Sequence, residues 1–171
     1  MVTIHSGDDR LELRAPFHPA LPFRAKQIGG RWRGADTGWI FALEHEDAVR
    51  SICSDIWGVD GREETARDAV TLRVEVDERT VVRSVFTAYS QPIYLVGREI
   101  ADALKSRKTA RPGRGIRFLV GRPCCLAHAQ VYETYVPDGS VFVIRDVPRM
   151  AVPRFEQATG EAGSVQIDAA A

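Results

Sequence analysis

Residues 17–57, FHPALPFRAKQIGGRWRGADTGWIFALEHEDAVRSICSDIW, restrict the possible folds more than any other stretch. Pro22 suits a first helical turn, where its missing N–H would be unpaired anyway. Leu21, Ala25 and Ile28 then recur at helical spacing, and Gly29-Gly30 supplies a stop that tolerates positive φ. From Trp39 the period changes to two. Trp39, Phe41 and Leu43 point one way and Ile40 and Ala42 the other, as in a well-buried strand. Gly34-Ala35-Asp36-Thr37-Gly38 is turn chemistry joining that strand to Arg31-Trp32-Arg33. Glu44-His45-Glu46-Asp47 then puts acids where a helix dipole favours them. Ala48, Val49, Ile52, Cys53, Ile56 and Trp57 follow the i, i+3, i+4 rule, and Gly58 closes the helix. Upstream, Leu11 and Leu13 alternate with charged residues in a further strand. The sum is a β-α-β-β-α module over residues 1–58.

A helix ending in Gly-Gly, then Arg-Trp, a polar turn, Gly-Trp-Ile-Phe and an acid-led helix resembles the HARP domain. The matching positions are Phe23, Lys26, Ile28, Gly29, Gly30, Arg31, Trp32, Gly38, Trp39 and Phe41, within residues 10–58. HARP domains accompany annealing helicases, and similar modules occur in bacterial mobile-element proteins. The resemblance implies a small module that binds DNA at junctions of single strand and duplex. The chain departs from those helicases in carrying no ATPase motor motif, so the resemblance extends to binding and not to remodelling.

The chain has 171 residues, enough for one or two domains with a real core. No apolar run approaches membrane-spanning length, and MVTIHSGDDR lacks the charged and apolar regions of a signal peptide, so a cytoplasmic location is expected. Three cysteines, including the adjacent Cys124 and Cys125, do not make a disulfide framework and suit a reducing compartment. Lysine occurs only at 26, 105 and 108 among 23 basic residues, which points to a GC-rich bacterial source. The net charge of zero hides an asymmetry. Residues 1–69 hold 9 basic and 12 acidic side chains, 70–150 hold 13 and 8, and 151–171 hold 1 and 3. Nucleic-acid binding must therefore rest on local patches rather than on overall charge.

Two patches qualify. Arg24, Lys26, Arg31 and Arg33 bracket Trp32 with no acid between them in the chain. Basic side chains neutralise phosphates and an indole stacks on an unpaired base, the combination that single-strand or junction binding needs. The other reading makes Trp32 a core residue with a solvated basic rim. The second patch is Arg98, Lys105, Arg107, Lys108, Arg111, Arg114, Arg117 and Arg122, centred on the loop-like LKSRKTARPGRGIR with Pro112, Gly113 and Gly115 as breakers. A basic loop can track phosphate, serve as plain surface, or meet an acidic protein.

Residues 59–69 are polar and read as a linker. The stretch 70–150 reads as a β-rich domain, a mainly antiparallel sheet or partly open barrel with one helix, which makes the chain α+β. Val70, Leu72, Val74 and Val76 alternate with polar residues in its first strand. Further strands are expected over Val81–Tyr89, Gly115–Val120, Ala129–Val136 and Val141–Asp146, with a helix from Arg98 to Ser106. Pro137-Asp138-Gly139-Ser140 predicts a hairpin turn. Residues 151–171, low in apolar periodicity, read as a loosely ordered tail.

No catalytic constellation stands out. Cys124, Cys125 and His128 lack the paired spacing of a zinc site, Gly29-Gly30 lacks a phosphate-loop pattern, and the carboxylates are scattered. The expectation is a protein without catalytic residues, metal or cofactor. The expected role is that of a DNA-binding accessory protein contacting single-stranded or junction DNA through Arg24, Lys26, Arg31, Trp32, Arg33, Lys105, Arg107, Lys108, Arg111 and Arg114. The alternative is a protein-binding module, such as a phage- or plasmid-encoded inhibitor or a subunit of a nucleoprotein complex, in which the same Arg and Trp residues anchor an interface.

Overall fold

A computed structural model describes residues 2–62, 68–77, 84–104, 108–127 and 131–169. The fold is α+β: among the described residues 14 strands form four antiparallel sheets with three helices, and no barrel closes. Contacts divide the chain into two units, Met1–Asp68 with Pro148–Ala151, and Ala69–Val147 with Val152–Ala171. No helix among the described residues is long and apolar enough to cross a membrane.

The first unit is built on β1 (Thr3–Ser6), β2 (Leu11–Arg14), β3 (Arg31–Trp32) and β4 (Trp39–Phe41), in the order β1-β2-β4-β3. Leu11, Leu13, Trp39 and Phe41 are buried on one face, as their period-two spacing requires. Two helices complete the core. α1 (Leu21–Gln27) contributes Leu21 and Ala25, and α2 (Glu46–Trp57) contributes Val49, Ile52, Cys53, Ile56 and Trp57. Each such large side chain stabilises the fold by about 1.5–3 kcal/mol through burial alone. Leu43 departs from its expected strand position: it opens a short 3₁₀ turn, Leu43–His45, and is exposed.

The two glycines after α1 serve different needs. Gly29 has φ 76°, the left-handed conformation of a helix stop, and its N–H bonds to Lys26 O while Gly30 N–H reaches back to Ala25 O at 2.8 Å. Gly30 is required for space, because a Cβ there would lie 2.4 Å from Phe41 Cε1 and 2.7 Å from Ala25 O. α2 ends on Gly58 at φ 69°, and Arg50 pairs with Glu46 one turn earlier at 2.6 Å.

The segment expected as a linker is partly built into this unit. Val59 and Gly61 are buried, Ile4 N–H bonds to Gly61 O, and Arg50 donates to Asp60 O at 3.0 Å. Residues 63–67 lie outside the described residues. Arg149, from the returning segment, pairs with Asp68 at 2.7 Å.

The second unit holds three sheets. One contains β5 (Ala69–Val76), β10 (Ile116–Val120), β13 (Val141–Pro148) and β14 (Gly163–Ile167) in the order β10-β13-β5-β14. Another has the order β11 (Cys124–Ala127), β12 (Tyr132–Tyr135), β6 (Thr87–Tyr89). The last joins β7 (Ile93–Leu95), β8 (Arg98–Leu104) and β9 (Thr109–Pro112). Phe142 anchors the core, with ring contacts to Phe86 at 6.0 Å and Phe118 at 5.2 Å. Residues 81–83 and 129–130 of two expected strands lie outside the described residues.

Three expectations are corrected here. The helix expected from Arg98 to Ser106 is instead strand β8 as far as Leu104, and residues 105–106 lie outside the described residues. Ile93 pairs with Ala101 but Tyr94 with Glu99, so Ile100 is an extra residue, and the bulge buries Ile100 and Ala101 in succession. Consecutive buried residues look helical in a sequence, and pairing on both sides overrides that pattern. The tail is ordered where described: α3 (Val152–Thr159) buries Phe155, and β14 pairs residue for residue with β5. Finally, Pro137–Ser140 is a turn, closed by Ser140 N–H to Pro137 O at 3.1 Å, but it is not a hairpin. It carries the chain from β12 in one sheet to β13 in another.

Candidate functional site

Directly paired residues share a face of a sheet. Ile4, Leu13, Trp39 and Trp32 therefore form one row on the core side, while His5, Glu12, Ile40 and Arg31 form the adjacent row on the opposite face. Arg33 continues the ladder through its N–H to Gly38 O at 2.9 Å, so alternation returns it to the side of Arg31. Gly38 closes the turn with φ 82°, and its N–H bonds to Gly34 O at 2.8 Å.

The structure thus brings Trp32 and the two arginines to one sheet edge but divides them between its faces. Trp39 is buried and Trp32 is 56% exposed, although their rings lie 5.7 Å apart. Strand position explains the difference: β4 is internal, whereas β3 is the outermost strand and only two residues long. Trp32 is accordingly not a core residue. Arg31 and Arg33 are exposed and have no carboxylate partner among the described residues.

Arg24 behaves differently from expectation. The chain places no acid near it, but α2 brings Asp55 to 2.5 Å, so this guanidinium is already neutralised. Lys26, in the last turn of α1, is exposed and favourably placed at the negative end of the helix. Sequence reasoning gave Phe17 no role, yet it is 74% exposed, and Phe23 is 68% exposed. No periodic signal marks Phe17, which precedes the helix.

The second patch lies in the second unit and is less uniformly basic than the sequence suggests. Lys105 and Arg107 lie outside the described residues. Arg111 sits opposite Asp102 in the β8–β9 ladder and pairs with it at 3.4 Å. Beside it, burial and then the charge of Asp102 hold Glu99 above the usual carboxylate range. Arg98 donates to the Asp146 carbonyl, and burial lowers its pKa. Lys108, Arg114, Arg117 and Arg122 are exposed without carboxylate partners among the described residues.

No cluster of three or more His, Cys, Asp or Glu side chains among the described residues is placed to hold a metal ion. Cys53 is fully buried in the first core, and burial pushes its thiol up to about 12. Cys124 and Cys125 alternate across β11, so their side chains take opposite faces of that strand. His128 lies outside the described residues.

No family model, curated protein or solved structure matches the chain.

Proposed function

We propose that the first unit binds single-stranded or junction nucleic acid at the β3 edge. The observation that carries this reading is Trp32, a half-exposed indole on an outermost strand, with the unpaired Arg31 and Arg33 on the other face. A single strand passing over that edge can stack one base on Trp32 while its phosphates meet the arginines. Bases inside a duplex are already stacked and cannot do this without leaving their partners. The resemblance of residues 10–58 to HARP domains supports the same reading, and Lys26 adds a further cation.

Fluorescence anisotropy with single-stranded, duplex and forked DNA at two salt concentrations tests the proposal. Trp32→Ala is expected to weaken fork and single-strand binding about tenfold, the usual effect of losing one stacked base. Arg31→Ala with Arg33→Ala is expected to lower the salt slope by about 1–2. Absence of binding to all three DNAs at low salt overturns the reading.

A second reading has its own observation. Phe17 and Phe23 are large exposed aromatic side chains in the same unit as Trp32, and aromatics with arginine are enriched at protein interfaces. Failure of DNA binding together with a folded, unaltered protein would favour this protein-binding role.

A further inference from the structure

The edge of a β-sheet exposes unpaired backbone groups, and folded proteins block such edges with charge, proline, bulges, brevity or cover. Seven of the eight sheet edges among the described residues carry one of these devices. β1 is covered, since Ile4 N–H is bonded to Gly61 O. β3 has only two residues and carries Arg31. β6 and β7 have three residues each, and β7 also faces a register shift. β9 contains Arg111 and Pro112, β10 contains Arg117 and a register shift, and the four-residue β11 directly follows Pro123.

β14 has none of them. Its five residues, GSVQI, hold no charge and no proline, and its register runs unbroken from Gly163↔Val76 to Ile167↔Leu72. The bonds from Asp77 N–H to Ala162 O and from Asp168 N–H to Thr71 O, both 2.8 Å, identify which residues turn their backbone towards β5. By alternation Ser164 and Gln166 do so as well, leaving the N–H and C=O of Gly163, Val165 and Ile167 pointing outward.

We infer that this edge pairs with β14 of a second copy of the chain, antiparallel about a two-fold axis at Val165. The arrangement is self-complementary. Val165 faces its own equivalent and Gly163 faces Ile167, so every outward N–H and C=O of the three residues is paired. Ile167, 44% exposed, gains apolar cover from Val165 of the second copy, and the glycine opposite leaves it room. On the other face Ser164 meets Gln166, an uncharged pairing. The strand carries no charge of its own, and a chain of net charge zero approaches its own copy without long-range repulsion.

Sedimentation velocity of the full chain from low to high micromolar concentration tests the inference, with hydrogen exchange read alongside. A dimer that grows with concentration is expected, with the amides of Val165 and Ile167 slowing in step while those of Ser164 and Gln166 are slow throughout. Ile167→Lys should weaken dimerisation at least about tenfold, equivalent to roughly 1.4 kcal/mol. Val165→Pro removes only an outward N–H and should do the same without unpairing β5. If Val165→Pro fails to fold, Ile167→Lys decides alone. A monomer at every concentration, or a dimer that a folded Ile167→Lys leaves unchanged, overturns the inference.

Discussion

The ring of Phe41 occupies the space that any side chain at Gly30 would need, since a Cβ there would lie 2.4 Å from Phe41 Cε1. This contact fixes how closely the end of α1 approaches β4. Gly30→Ala is therefore expected to destabilise the first unit by about 3 kcal/mol through overpacking. Gly29→Ala meets only the strain of its positive φ and should cost about 1 kcal/mol. Urea titrations of the two variants check the ranking.

The two tryptophans of the hairpin separate stability from surface function. Trp39→Ala is expected to cost about 3–5 kcal/mol, as large core truncations do. Trp32→Ala, on the exposed edge, should cost under about 1 kcal/mol. Equal losses in thermal melts would place Trp32 in the core after all.

Val96 has φ 46° and is followed by Gly97 at φ 68°, which makes the two-residue link between Leu95 and Arg98 a mirror-image turn. A β-branched residue is poorly suited to that conformation, whereas asparagine accepts it. Val96→Asn is expected to stabilise the second unit by about 0.5–1 kcal/mol, seen as a higher denaturation midpoint at unchanged m-value.

His18 packs edge-on against Trp57 at 6.2 Å, and its Nδ1 accepts a hydrogen bond from Ala20 N–H. Burial holds its pKa below the ordinary imidazole value. Because the folded state disfavours the proton, the unfolded chain binds it more readily, so this contribution is complete above the ordinary imidazole pKa and declines as pH falls through the folded value. Denaturation midpoints at pH 7.5 and pH 5 should therefore diverge less in His18→Asn than in the parent chain.

Thiol labelling should discriminate among the three cysteines. Cys53 is sealed in the first core with its thiol pushed up to about 12, while Cys124 and Cys125 are partly exposed. Alkylation of the native protein followed by mass spectrometry is expected to modify the adjacent pair alone, with Cys53 reacting only after denaturant is added.

What the sequence disclosed follows from whether one face decided each residue's fate. The alternation of β5 and the helical spacing of Val49, Ile52, Cys53, Ile56 and Trp57 were legible because each element buries a single face. β8 was not, because one bulged residue broke its period. β14 carried a signal in the alternation of Val165 and Ile167 with Ser164 and Gln166, but nothing local announces that its partner is β5. Arg24 was misjudged for a related reason: its counter-ion, Asp55, arrives on a different helix. The edge holding Arg31, Trp32 and Arg33 was identifiable, whereas their division between two faces required the register.

The position of β5 also orders events in time. It opens the second unit in the chain, yet its sheet neighbours β13 and β14 are made long after it, and Val74 finds its partner only in Val165. Pairings of such long sequence separation cannot form until β14 has left the ribosome, and closing them is slow. The first unit, with its short hairpin and local helices, can collapse while β5 still waits unpaired. A nascent chain of this protein thus carries an apolar strand that must be kept from other strands until its own C-terminal partner emerges.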